Sequence, residues 1–183
     1  VFTLAWFRDD LGDIESSPVL RGGRVYVGSS ASGGTVYSID AAAGDVDALN
    51  RRFVHGDGQV KGFLFPDRVS PTGDLVFATT SRVWVVQDDG STLSPKYPGG
   101  IVLNVGVAPS PVLYLSASGR AYAGGSDGRL YEVDVTGPVP VVKSVLLGDG
   151  AAVVGAPSYD LTHGLVHVGT AAGIFYAVAV PLP

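Results

Sequence analysis

Short runs in which apolar and polar residues alternate, each closed by Gly, Asp or Ser, recur along the whole chain, and no ten-residue stretch keeps a helical period. A period of two is the side-chain period of a β-strand with one packed face, so the pattern predicts many short strands joined by tight turns. The stretch GSDGRLYEVDVTG, Gly125 to Gly137, shows the unit: a Gly-rich turn, a strand carrying Leu130, Tyr131 and Val133, and a second turn. The unit repeats. SPVLRGGRVYVGSSASGGTVYSIDAAAG runs from Ser17 to Gly44 and SPVLYLSASGRAYAGGSDGRLYEVDVTG from Ser110 to Gly137; their identical openings stand 93 residues apart. That is about two units of the roughly 40–50 residues expected for one propeller blade. Degenerate copies occupy Val69 to Gly90 and Ala156 to Val180, and Tyr37, Trp84, Tyr131 and Tyr176 follow one another at steps of 47, 47 and 45 residues.

Each repeat supplies about four strands, placed in the first copy at Ser17 to Leu20, Arg24 to Gly28, Thr35 to Asp40 and about Asp47 to Val54. Such a sheet has two apolar faces and only neighbouring copies to bury them, which predicts an all-β fold, a β-propeller of about four four-stranded antiparallel blades. The blades are expected at about 17–55, 66–99, 108–148 and 156–180, in one domain spanning 1–183. Small residues close the second strand at Gly28, Ala78, Gly124 and Gly169, where a bulky side chain would meet the next blade. The last repeat ends after its third strand. Residues 1–10 are therefore expected to add to it as a closing outer strand, with Thr3 to Asp9 pairing against Gly173 to Val180. The same ends fit two solutions, a complete four-bladed ring and half of an eight-bladed one completed by a second half or a second copy.

Composition narrows the function. With 46% hydrophobic and 16% charged residues the chain can bury a full core. A net charge of −5, with 12 Lys and Arg that never cluster, argues against a nucleic-acid backbone as partner. No run of 18 apolar residues predicts insertion into a membrane as a helix. The absence of Cys excludes disulfides and thiolate metal sites, and the absence of even an initiator Met suggests a processed piece of a longer polypeptide.

The run GRVYVGSSASGGTVYSIDAAAG resembles the repeats of pyrroloquinoline-quinone-like propellers, with their Tyr-Val-Gly strand, Gly turn and strand ending near Asp-Ala. The resemblance covers all four repeats and implies the repeat fold. The family includes quinone-dependent dehydrogenases, a scaffolding lipoprotein of the outer-membrane barrel assembly machine, and sensor and adhesin domains. In its pattern a Trp docks each blade to its neighbour. Here Ala48 and Val141 stand in that place, and only Trp6 sits where a docking Trp is expected.

Candidate chemistry is sparse. Asp57, Asp67, Asp74, Asp88, Asp89, Asp127, Asp149 and Asp160 lie in turn-like contexts, where Asp hydrogen-bonds its own backbone, and none shows the alternating spacing of a calcium loop. His163 and His167 lie four apart; on a strand that is roughly 13 Å, too far to share an ion. His167 is expected to pack in the slot of Tyr26, Phe77 and Tyr122, and His163 to sit in a turn. Neither Gly-x-Ser-x-Gly nor a phosphate loop occurs, and GSDG reads as a blade hairpin. No catalytic residue, cofactor or metal is assigned. The stretch most unlike its counterparts is FVHGDGQVKGFLFPDR, read as a long loop, with Phe63 and Phe65 as binding anchors and Lys61 and Arg68 at the rim. The two rings serve equally well as a cap on the core. SPKYPGG, from Ser94 to Gly100, is a second loop of this kind. The reading is a non-enzymatic interaction or scaffold module of a secreted, periplasmic or cell-surface protein with a protein partner; the alternative is part of a quinoprotein-like dehydrogenase or another propeller enzyme.

Overall fold

A computed structural model describes residues 3–44, 51–67 and 72–183. Among these residues fifteen strands form four antiparallel sheets in chain order. The first contains β1 (Val19–Arg21), β2 (Arg24–Ser29), β3 (Thr35–Asp40) and β4 (Arg52–Val54); the second contains β5 (Lys61–Pro66), β6 (Gly73–Ala78), β7 (Val83–Asp88) and β8 (Leu93–Pro95). The third contains β9 (Leu113–Leu115), β10 (Arg120–Gly124), β11 (Arg129–Asp134) and β12 (Val141–Leu146), and the last only β13 (Ser158–Asp160), β14 (Leu165–Gly169) and β15 (Phe175–Ala179). Residues 47–50, the start of the fourth strand expected in the first blade, lie outside the described residues.

Each sheet carries apolar side chains on both faces, and neighbouring sheets bury the faces they turn to each other. Tyr26 and Val36 of the first sheet meet Leu75, Phe77, Trp84 and Val86 of the second. Val76, Val83 and Val85 on the opposite face of the second meet Ala121, Ala123, Tyr131 and Val133 of the third. Tyr122 and Leu130, on the third sheet's far face, meet Val166 and Val168 of the last. Burying each of these larger side chains stabilises the stack by about 1.5–3 kcal/mol. This is the stacking of propeller blades. Among the described residues no core cluster joins the last sheet to the first, so the four blades form an open arc.

The repeat register is visible in the pairing. Tyr37, Trp84, Tyr131 and Tyr176 sit on the third strands opposite Val27, Phe77, Ala123 and Val168 of the second strands. The slot expected to hold Tyr26, Phe77, Tyr122 and His167 is different: Phe77 faces the preceding blade, and Val76 is the residue that shares the forward direction of Tyr26 and Tyr122. The two SPVL segments are likewise one residue out of step. Ser16 Oγ, not Ser17 Oγ, accepts the Gly28 amide hydrogen at 2.6 Å, as Ser110 Oγ accepts that of Gly124 at 2.9 Å.

Three further expectations change. The second blade begins at Lys61, because the supposed loop before residue 66 contains the innermost strand β5. Ser94 and Pro95 of the second supposed loop belong to β8, and Tyr97 beyond them is buried. Residues 3–10 form no strand and do not edge the last sheet. Instead Trp6 and Leu11 cover Val27, Tyr37 and Ile39 on the rear of the first blade, where these side chains would otherwise face water, and the Trp6 indole N–H donates to Ala41 O at 3.0 Å.

Candidate functional site

The first strands β1, β5, β9 and β13 converge along the inner edge of the arc. A bulge in β5 shapes this edge: Lys61 pairs with Ala78 but Phe65 already pairs with Val76, so three residues of β5 oppose one of β6. Gly62, at φ +73, makes the turn that the bulge needs, and a Cβ there would press on Pro111 at 3.0 Å. Beyond it Leu64 points into the core between the first two blades and is fully buried, while Phe63 is 52% exposed. Phe63 lies against a cleft of about 550 Å³ whose walls are Val19, Leu20 and Arg21 of β1 and residues 63–67. Phe65 packs partly on the next core and holds the Phe63 ring edge-on at 6.2 Å. Phe65 and Pro66 also wall a second cleft of about 710 Å³ against β9 and residues 157–161, where Leu161 is exposed.

The four expected binding residues separate in space and role. Phe63 and Phe65 come together at the cleft. The Lys61 ammonium is turned to the backbone, donating to Pro109 O at 2.7 Å and tying the second blade to the entry of the third. Burial lowers its pKa, since a charged amine loses hydration there. Arg68 lies outside the described residues.

The carboxylates divide between turns and structural cross-links. Asp89, Asp149 and Asp160 do accept hydrogen bonds from backbone amides two or three residues on, as turn aspartates should. Asp88 does more than accept the Gly90 amide. Its carboxylate is buried between blades, with Arg51 Nη1 at 3.2 Å and Arg21 Nη2 at 3.6 Å, and it accepts the Tyr26 phenolic hydrogen. Burial first, then Asp88, raises the Tyr26 pKa, because the phenolate would lose water and face a carboxylate. Asp57 reaches across to Ser81 and Thr79, Asp74 pairs with Lys96 at 3.2 Å, and Asp127 accepts the Tyr131 hydroxyl at 2.5 Å. Burial, then Asp127, pushes the Tyr131 phenol up to about 12. A sequence-level signal for Asp88 exists only in hindsight: it stands four residues after Trp84, as Ala41 does after Tyr37 and Val135 after Tyr131.

The histidines are not grouped. His163 Nδ1 lies 2.6 Å from Asp160 Oδ2 in a turn, and His167 stacks on Phe175 with ring centroids 5.5 Å apart. His55 is packed among Phe53, Phe77 and Trp84, and burial drives its pKa down to about 4. Among the described residues no three His, Asp or Glu side chains converge as metal ligands, and no helix is long and apolar enough to cross a membrane.

Neither a protein-family model nor a curated protein sequence matches the chain. Solved structures do. The computationally designed Ika4 protein is similar at a TM-score of 0.68 and 16% identity, over 99% of each chain. BamB from Moraxella catarrhalis is similar at 0.64 and 15%, over 94% of this chain and 48% of that one, so the chain spans about half of BamB. The extracellular domain of the two-component system BT4673 from B. thetaiotaomicron is similar at 0.62 and 11%, over 93% of this chain and 21% of the other. The fold is a β-propeller. At these identities the likeness is one of fold, and the roles of its neighbours are diverse.

Proposed function

We propose that the chain is a non-enzymatic interaction or scaffold module, built from pyrroloquinoline-quinone-like repeats, of a larger secreted or cell-envelope protein. The observation that carries this reading is Phe63, a large apolar side chain left exposed at the mouth of a cleft whose floor is rigid strand. An exposed aromatic that shares its cleft with exposed Leu20 on β1, next to a second cleft where Leu161 is exposed, is the anatomy of a protein-docking edge. Its partner is a protein segment that seats an apolar side chain between β1 and β5. The placement outside the cytoplasm draws support from the BT4673 domain, whose description is extracellular.

The test compares wild-type chain with Phe63→Ser as bait in extract of the source cell. The reading expects specific partners of the wild type to be lost from the variant at an unchanged melting temperature. Identical capture by both would overturn it.

A further inference from the structure

We infer that two copies of this chain close on each other head to tail, completing an eight-bladed ring in which the last blade of each copy is finished by the first residues of the other. The inference goes beyond the docking reading above and is independent of it.

It starts from one face. In the first three blades the forward face is buried: Tyr26, Val36 and Ser38 are each 0% exposed, and the equivalent residues Val76, Val83, Val85, Tyr122, Leu130 and Glu132 are at most 2%. On the last blade the same register positions are His167, Phe175 and Ala177, and there Phe175 is 69% exposed. The glycines that end the second strands give the same answer. A Cβ on Gly28 would strike Val60, the residue entering the second blade, at 2.6 Å; one on Gly124 would strike the Val154 carbonyl entering the last blade at 2.4 Å. A Cβ on Gly169 would meet nothing within 4 Å. The slot is shaped like the others and open.

The other end of the arc carries what fits it. Val154 bridges to Thr170, directly after Gly169, and Ile14 bridges to Ser29, directly after Gly28, so Ile14 is the first blade's counterpart of Val154. Val154 is 1% exposed and Ile14 45%. The first three blades also each send a polar group from around the fourth strand to the third strand of the next blade or just beyond it. Arg51 reaches Asp88, the Tyr97 hydroxyl donates to Val135 O at 2.8 Å, and Lys143 donates to Leu182 O at 2.9 Å. Trp6 makes this contact with Ala41 O, the equivalent of Val135 O, from residues that belong to no blade. Residues 3–9 therefore stand where the fourth strand of a preceding blade would stand, and among the described residues the last blade has three strands where the others have four. The two ends of this arc face apart, and they meet twice when a second copy is turned about a two-fold axis.

Sedimentation of the full chain over a wide concentration range tests the inference. A species of twice 18.8 kDa is expected, with a melting temperature that rises with concentration. Gly169→Val should be folded, by circular dichroism, and single. Ala177→Glu, at an exposed position, should behave alike and serves if the first variant folds poorly. A single-chain wild type at every concentration would overturn the inference and assign the open face to other repeats. Larger open assemblies, or two-chain variants, would overturn it equally.

Discussion

The Tyr26 phenol of the first blade donates its hydrogen to the Asp88 carboxylate of the second, at the centre of a buried set that also holds Arg21 and Arg51. The Asp88 side chain is 1% exposed, so its charge is compensated wholly by these partners. Removing it leaves two guanidinium groups in the interface with nothing to balance them. Asp88→Asn should destabilise the chain by about 3–5 kcal/mol in urea unfolding. A loss below about 1 kcal/mol would mean that the arginines reach water and that the set does not hold the blades together.

His55 gives the fold a pH dependence. Its folded pKa of about 4 lies below the ordinary value of 6.5, so on acidification the unfolded chain takes up this proton first. The contribution is complete above about pH 6.5 and is lost as pH falls toward 4, amounting to about 1–2 kcal/mol once its partial exposure is allowed for. His55→Asn keeps an acceptor for the Asp57 amide, which His55 Nδ1 accepts at 3.2 Å, and should flatten the melting temperature between those pH values. Parallel slopes for the two chains would show that the ring is protonated within the fold.

Phe63 and Phe65 touch each other but should differ in energetic weight. Phe65 packs on the core between the second and third blades, so Phe65→Ser should cost about 1–3 kcal/mol. Phe63 is half exposed, and Phe63→Ser should change stability by no more than about 0.5 kcal/mol. Equal, large losses in chemical unfolding would make both rings core and remove the anchor at the cleft.

The repeat itself was legible because its signal is periodic: the four third-strand aromatics recur with the blade, and the small residues at Gly28 and Gly124 answer to a neighbour passing close by. What the sequence hid was local phase. The bulge at Gly62 breaks the alternation of β5, so a core strand read as a loop. Phe77 resembles Tyr26 as a side chain but sits one residue later on its strand, which turns it to the opposite face. Asp88 sits in QDDG and does cap a turn, which masks its part in an interface formed with residues far along the chain. The first ten residues carry the right residue types for an outer strand, but the Ala41 carbonyl and the apolar rear of the first blade capture Trp6 instead.

The openness of the arc is tested most directly by placing the same side chain in two equivalent slots. Gly124→Val and Gly169→Val are compared by urea unfolding at dilutions where stability no longer depends on concentration. At Gly124 the new Cβ meets the backbone of Val154 and Gly155 within 2.5 Å, whereas at Gly169 it meets no atom within 4 Å. The account predicts a loss of about 3 kcal/mol or more at Gly124 and no more than about 0.5 kcal/mol at Gly169. Equal losses at the two positions would mean that the last slot is already filled within a single chain, contradicting the open arc.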